Sequence, residues 1–345
     1  MAGKRSEQSD INSLIKQGLT VSVIEIGARN VPQAYVEGIW KLRTFGKSED
    51  TRNGEVIAMP QPTILTITHP EERVLTCPVR DANPFFHVME FVWMMAGSND
   101  AAWISQFNSR MMEYADGRIL RGAYGWRWQN PEDQITGVVE LLRDQVRTRQ
   151  AVLSMWTPEL DGSRARSSDR PCNTHIYFRP RETNRLDMLV CNRSNDFVWG
   201  MMGANAVHFT LLHELIASAS GYRLGVYQVI SNNLHIYTGI PRFDKIISTY
   251  EKYDCYRGPK KCEPFPLLVG TNLKKFQRDC KDLVMGPMTM YRSEWVQDVA
   301  YPMYMAYLHK EDREEWIGKI AAEDWRLATS QWNERRLKNH SKRNT

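Results

Sequence analysis

The chain has 345 residues, 42% hydrophobic and 25% charged, a balance that excludes a disordered or fibrous protein and suffices for one large domain or two ordinary ones. No apolar run approaches the roughly 18–20 residues of a membrane span, and the opening Met-Ala-Gly-Lys-Arg-Ser-Glu lacks a signal peptide's apolar core, so a cytosolic address without membrane contact is expected. A net charge of +5 suits an anionic small substrate and falls far short of a nucleic-acid-coating surface.

In chain order, polar turn-rich stretches fall at 44–55, 157–171 and 257–265, none long enough for an interdomain linker. Asn83 as cap, Pro84 in the first turn and Gly97 at the end frame a predicted buried helix over 84–96. Short β-rich runs bounded by turns predict strands at 151–156, 174–178, 187–192 and 226–230. A second helix is predicted over 205–220, with Leu211, Leu212, Leu215 and Ile216 on one face and Gly221 closing it. Trp316, Trp325 and Trp332 sit in a charged, helix-favouring stretch, and residues 335–343 read as a frayed basic tail. Strands and helices mix without strict βαβ alternation, so the expected class is α+β.

Cysteines at 77, 172, 191, 255, 262 and 280 show no C-x-x-C spacing, which argues against a disulfide framework and a structural zinc site. His208 and His213 lack the spacing of a zinc-protease helix, and no P-loop or G-x-G-x-x-G is present, so neither a metal nor a nucleoside triphosphate site is expected.

Four features carry chemistry. Glu90 lies mid-helix among Phe86, Met89, Phe91, Val92 and Trp93; a carboxyl so placed finds a structural partner or keeps its proton as a pocket acid. Cys172 ends a polar loop and enters a strand; it is inert packing or, with Arg170 and Arg193 near, a thiol whose pKa a cation lowers. Arg193 and Ser194 make either a solvated turn or a phosphate clamp. Alternation puts Asn233, His235 and Tyr237 on one strand face, as a polar cluster or a row that reads a sugar.

In this order, Arg170-Pro171-Cys172-Asn173-Thr174-His175, then Asn192-Arg193-Ser194-Asn195-Asp196, Gly200, Asn205 and His235-Ile236-Tyr237 resemble the thymidylate synthase and deoxypyrimidine-nucleotide hydroxymethylase family over about residues 50–240. The resemblance implies a thymidylate synthase-like fold, a twisted mixed sheet with surrounding helices, and a homodimer formed across the sheet. It divides the chain into an N-terminal extension (1–45), a catalytic core (46–250) and a helical part packed on the core (251–345). Cys172 would attack C6 of the pyrimidine, Glu90 would organise proton transfers through water, and Tyr124 would assist loss of the C5 proton. Arg52, Arg193 and Ser194 would hold the 5′-phosphate, with Arg149 arriving from the other subunit. His235 and Tyr237 would bind the deoxyribose. Asp196, Met111 and Tyr114 would lie against the one-carbon donor, 5,10-methylenetetrahydrofolate.

The family reads its base with Asn for uracil and Asp for cytosine. Asn205 takes that position if one residue is inserted after Gly200, and Ala204 takes it otherwise; the register of the following helix favours Asn205, hence dUMP. Met111 stands where synthases carry Trp, Asn173 where they carry His, and Gln150 where a second Arg is usual. The C-terminus, Lys338-Asn339-His340-Ser341-Lys342-Arg343-Asn344-Thr345, is unlike the apolar tail that closes a synthase site. A wetter pocket favours water over hydride at the last step. The expectation is therefore a dUMP 5-hydroxymethylase of the kind that serves viral DNA, working in the host cytoplasm if viral. Thymidylate synthase proper, dCMP hydroxymethylase and a non-catalytic nucleotide or nucleic-acid binder are the alternatives.

Overall fold

Two sheets, most of whose strands alternate buried and half-buried residues, organise the computed structural model, which describes residues 23–162, 169–238 and 253–341. Positions 1–22 of the expected extension, 163–168 of a polar stretch, the 250/251 boundary and the final four residues lie outside the described residues. The strands are β1 (Ile24–Ala28), β2 (Lys47–Thr51), β3 (Gly54–Ala58), β4 (Thr63–Ile67), β5 (Val152–Ser154), β6 (Asn173–Pro180), β7 (Arg185–Asn192), β8 (Asn195–Asp196), β9 (Arg223–Ser231) and β10 (Leu234–Tyr237). The longer helices are α1 (Val31–Phe45), α2 (Pro84–Met95), α3 (Gln134–Asp144), α4 (Asn205–Ser220), α5 (Leu273–Met285), α6 (Tyr301–Leu308) and α7 (Glu323–Ser341).

The larger sheet has the order β1-β4-β9-β7-β6-β5, with β1/β4 and β7/β9 parallel and the other pairs antiparallel. The smaller one runs β2-β3-β10-β8. This mixture of sheets and helices is the α+β class the sequence predicts. All four predicted strands form, each within a few residues of its expected limits.

One prediction fails at 44–55. That stretch is a hairpin, with Lys47 opposite Ala58 and Thr51 opposite Gly54, rather than a loop. Every residue of β2 is exposed, so no apolar alternation marks it as a strand. Gly54 takes φ +111° at the turn and Thr51 Oγ1 donates to its carbonyl at 2.7 Å.

The two predicted helices form the centre. Asn83 accepts from the Phe86 N–H and caps α2, and Gly221 closes α4 with a left-handed φ of +83°. Nearly every residue of both helices is buried. The C-terminal half explains how: Trp332 packs edge-on against Phe85 at 5.3 Å, and Trp295 against Phe91 at 6.0 Å. Each ring so buried contributes about 1.5–3 kcal/mol of transfer free energy.

The basic tail also departs from expectation. α7 continues to Ser341, and Arg335 and Arg336 both bind Asp81, at 2.9 and 2.8 Å. Two adjacent arginines on a helix do not reveal a carboxylate that lies more than two hundred residues earlier.

Arg127 and Asp161 form a two-pronged ion pair, 2.8 Å on each prong, with only 4% and 1% of their side chains exposed. It anchors the start of the segment that returns to Cys172. Asp161→Ala leaves the guanidinium buried without its counter-ion, which predicts a loss of about 3–5 kcal/mol in urea unfolding. A loss below about 1 kcal/mol would mean that water screens the pair.

Candidate active site

The antiparallel register of β6 and β7 places Asn173 opposite Asn192, so the residue before one strand meets the residue after the other. Cys172 and Arg193 are thereby neighbours: the Arg193 N–H donates to the Cys172 carbonyl at 3.0 Å, and its Nη2 stands 3.8 Å from the thiol Sγ. Donation to the Pro171 and Arg170 carbonyls, at 3.0 and 3.1 Å, fixes the guanidinium, and Trp156 faces it at 5.8 Å.

The thiol differs from the sequence reading in its resting state. Burial pushes its pKa up and Asp169 adds to the rise, while Arg193 opposes both without prevailing. A cation beside a cysteine lowers its pKa only to the extent that the site stays wet.

Cys172 and Arg170 line two adjoining cavities. The larger, about 840 Å³, receives Arg52 from the β2–β3 turn, Arg193 and Ser194 from the β7–β8 connection, and His235 and Tyr237 from β10. Strand β10 lies between β3 and β8, with His235 level with both Ala58 and Asp196, which draws these residues to one wall. His235 Nδ1 donates to Asn233 Oδ1 at 2.8 Å, which fixes the ring and leaves Nε2 free to meet a ligand. Three guanidiniums and a hydroxyl around a hydrophilic hollow are suited to a phosphate monoester.

The smaller cavity, about 200 Å³, is lined by Glu90, Tyr124, Asn205, Met111, Tyr114 and Asp169 among others. Glu90, on the apolar α2, is pushed up to about 8 by burial. Tyr124 is also pushed up, mainly by burial and then by Cys172, against backbone N–H groups of Asn173 and Cys172 that favour its anion. A protonated acid, a phenol, a thiol and an amide thus converge where a planar ring would meet the sulfur.

Asp196 sits on the larger cavity. Its Oδ1 accepts from the Trp199 N–H at 2.6 Å, while Oδ2 is buried with no hydrogen-bond partner among the described residues. An orphaned carboxylate oxygen fits a ligand bearing N–H donors, as a pterin does.

Asn205 reaches the pocket through a π-helical stretch over Phe197–Ala204. The stretch is interrupted by a kink at Gly203, whose φ of −109° and ψ of −124° are not helical. Ala204 lines neither cavity. Arg80 braces the stretch, donating Nε to the Val198 carbonyl at 3.1 Å and stacking over Trp199 at 4.7 Å. A methyl added at Gly203 would come within 2.7 Å of the Val198 carbonyl.

Arg149 is exposed and lines neither cavity, so a single chain does not bring it to the thiol. Sequence reasoning missed Asp169, Arg80 and His208, which stands 3.4 Å from Glu90. Asp169 lay inside a stretch read as polar loop, and Arg80 carries no local signal of its burial.

Two outcomes are expected. Because the Glu90 pKa is raised on folding, its effect favours the folded state at low pH and is lost as pH climbs from about 4.5 to about 8. The melting temperature of Glu90→Gln relative to wild type should therefore rise across that window and level off above it; a flat difference would show Glu90 ionised at neutral pH. Gly203→Ala should displace the π turn and weaken nucleotide binding by about tenfold while lowering stability by about 1–3 kcal/mol, read by calorimetric titration and urea melts.

Residues 33–259 match the family model described as thymidylate synthase. The chain is 37% identical over 334 residues to the deoxyuridylate hydroxymethyltransferase of Pseudomonas phage M6, covering 90% of this chain and 94% of that protein. Proteins of the same name from Bacillus phage SP01 and Delftia phage PhiW-14 are 34% and 32% identical, over 53% and 61% of this chain and 51% and 62% of their own lengths.

Proposed function

The chain belongs to the thymidylate synthase family, and from that premise we propose that it converts dUMP to 5-hydroxymethyl-dUMP. The observation that carries the reading is the position of Cys172, at the junction of an arginine-lined hollow and an acid-lined one.

Arg52, Arg193 and Ser194 bind the 5′-phosphate, and His235 and Tyr237 the deoxyribose hydroxyl. This remote binding energy holds the uracil over the sulfur. The Asn205 amide donates to O4 and accepts from N3–H, a pattern that an ionised carboxylate cannot match. C5 of uracil is a poor nucleophile. Bonding of the Cys172 sulfur to C6 breaks the ring's conjugation and places enolate density at C5 and O4, where the Glu90 carboxyl and its water supply and recover protons. Tyr124, held between backbone N–H groups and the thiol, assists loss of the C5 proton by hydrogen-bonding the water that accepts it.

Methylenetetrahydrofolate, used by enzymes of this family, supplies one carbon at the oxidation level of formaldehyde. The orphaned Asp196 oxygen suits its pterin N–H groups, and Met111 and Tyr114 border the path to the base. Water then contributes the hydroxyl, so dUMP, the folate and water give hydroxymethyl-dUMP and tetrahydrofolate, with no net oxidation. Met111 occupies the position where a synthase carries Trp, in keeping with water as the final nucleophile. The names of the three phage relatives agree with this outcome.

Arg149 and the outer face of the larger sheet enter the reading as a homodimer. Tyr177 on β6 is 42% exposed and stacks on His175, an aromatic pair placed for burial by a second copy whose Arg149 would complete the phosphate site. No helix among the described residues is long and apolar enough to cross a membrane, in keeping with work beside a host's soluble nucleotide pool.

Weighing the product settles the reaction. Gain of CH₂O by dUMP, without dihydrofolate, is expected; gain of CH₂ with dihydrofolate in step would make the protein a synthase. Cys172→Ser should lose turnover by more than about 10³-fold while still binding dUMP. It should also fail to dehalogenate 5-bromo-dUMP with added thiol, and a variant that still did so would remove Cys172 from the chemistry.

A further inference from the structure

Among the described residues, His208 is the histidine at ion-pair distance from the proposed acid. It lies on the first turn of α4, three residues after Asn205, with 2% of its side chain exposed. Its Nε2 stands 3.2 Å from the His87 carbonyl and 3.4 Å from Glu90 Oε2. A carbonyl only accepts, so the proton is on Nε2 and is given to His87, with Glu90 Oε2 close beside the same polar N–H. The Glu90 side chain is 16% exposed, so one end of it meets the cavity while the other meets the imidazole.

We infer that His208 is a positioning residue for the proton chemistry, a fixed neutral N–H donor that selects the Glu90 rotamer and favours its ionised form. The inference rests on the reaction proposed above for its catalytic meaning, although the interaction stands without it.

The chemistry excludes a relay. With its Nε2 proton held by a backbone carbonyl, the imidazole faces Glu90 with the positive end of its N–H dipole and has no lone pair there to take its proton. Burial drives the ring strongly toward neutrality, to about 3. It is therefore a donor that does not itself titrate while Glu90 does, near 8. Other titratable groups around Glu90 are Tyr124, Cys172, Asp169, Arg170 and Tyr114 across the cavity, and His87 one turn back on its own helix. The C-terminal helices meet the opposite side of α2 through aromatic rings. His208, unlike these cavity-lining groups, is 2% exposed and lines neither cavity.

Difference infrared spectroscopy of the whole protein against Glu90→Gln reads the Glu90 midpoint with neither nucleotide nor folate present. Failure there is thus distinct from failure of the hydroxymethylation reading. His208→Phe, which keeps a ring and removes the donor, should raise the midpoint by about one pH unit. His208→Gln, whose amide N–H reaches the same place, should restore it to within about 0.3 unit. In turnover, the kcat–pH limb assigned to Glu90 should move with the infrared midpoint, while KM for dUMP stays put. An unchanged midpoint in His208→Phe overturns the inference, and so does an equal rise in both variants, which would assign the effect to packing. Should His208→Phe not fold, the His208 ring-proton resonance of the wild type is the second measure. It should move with the Glu90 midpoint and stay flat in Glu90→Gln; flat in both overturns the inference.

Discussion

The alignment of β6 against β7 is the constraint on which the site depends. With Asn173 opposite Asn192, the thiol before one strand and the guanidinium after the other must be adjacent, and Arg193 binds back to three successive carbonyls of the 170–172 segment. A slip of one residue would turn the side chains of β6 to the other face of the sheet and take the sulfur out of both cavities. The buried core of that sheet therefore guards the register as strongly as it guards stability.

The same burial that fixes the geometry sets the charge states. Glu90, Tyr124, Cys172 and Asp196 are all shifted toward their neutral forms, with loss of solvent the leading cause in each. A pocket of this kind rests in a proton-rich state and presents a thiol rather than a thiolate. Guanidiniums on one side and the protonated Glu90 on the other form a gradient that suits an anionic phosphate at one end and an uncharged ring at the other.

Much of this was legible in the chain. Asn83, Pro84 and Gly221 delimit the two central helices because caps and breakers act locally, and the strands around Cys172 and Arg193 announce themselves by composition. Contacts between distant segments were not legible. β2 is wholly exposed and carries no alternation, so the hairpin that presents Arg52 read as a loop. Asp161 and Arg127, or Asp81 and Arg336, look like ordinary surface charges until tertiary packing pairs them. The π stretch lies between these cases: the extra residue before Asn205 could be counted, but its backbone form depends on Arg80, more than a hundred residues away.

That dependence gives the C-terminal half a part in the site beyond filling space. Arg335 and Arg336 on α7 bind Asp81, whose positive φ of 46° turns the chain directly after Arg80. Arg80 in turn holds the Val198 carbonyl, and the π stretch it braces begins at Asp196 and ends at Asn205, the expected folate and base contacts. On the other side, Trp295 and Trp332 press on Phe91 and Phe85, on the same helix α2 as Glu90. Two independent paths thus run from the helices after residue 270 to the two walls of the smaller cavity. Rigidity delivered from behind the pocket thus contributes to the preorganisation of its walls. It does so without excluding water, which is the condition that an addition of water to a one-carbon unit requires.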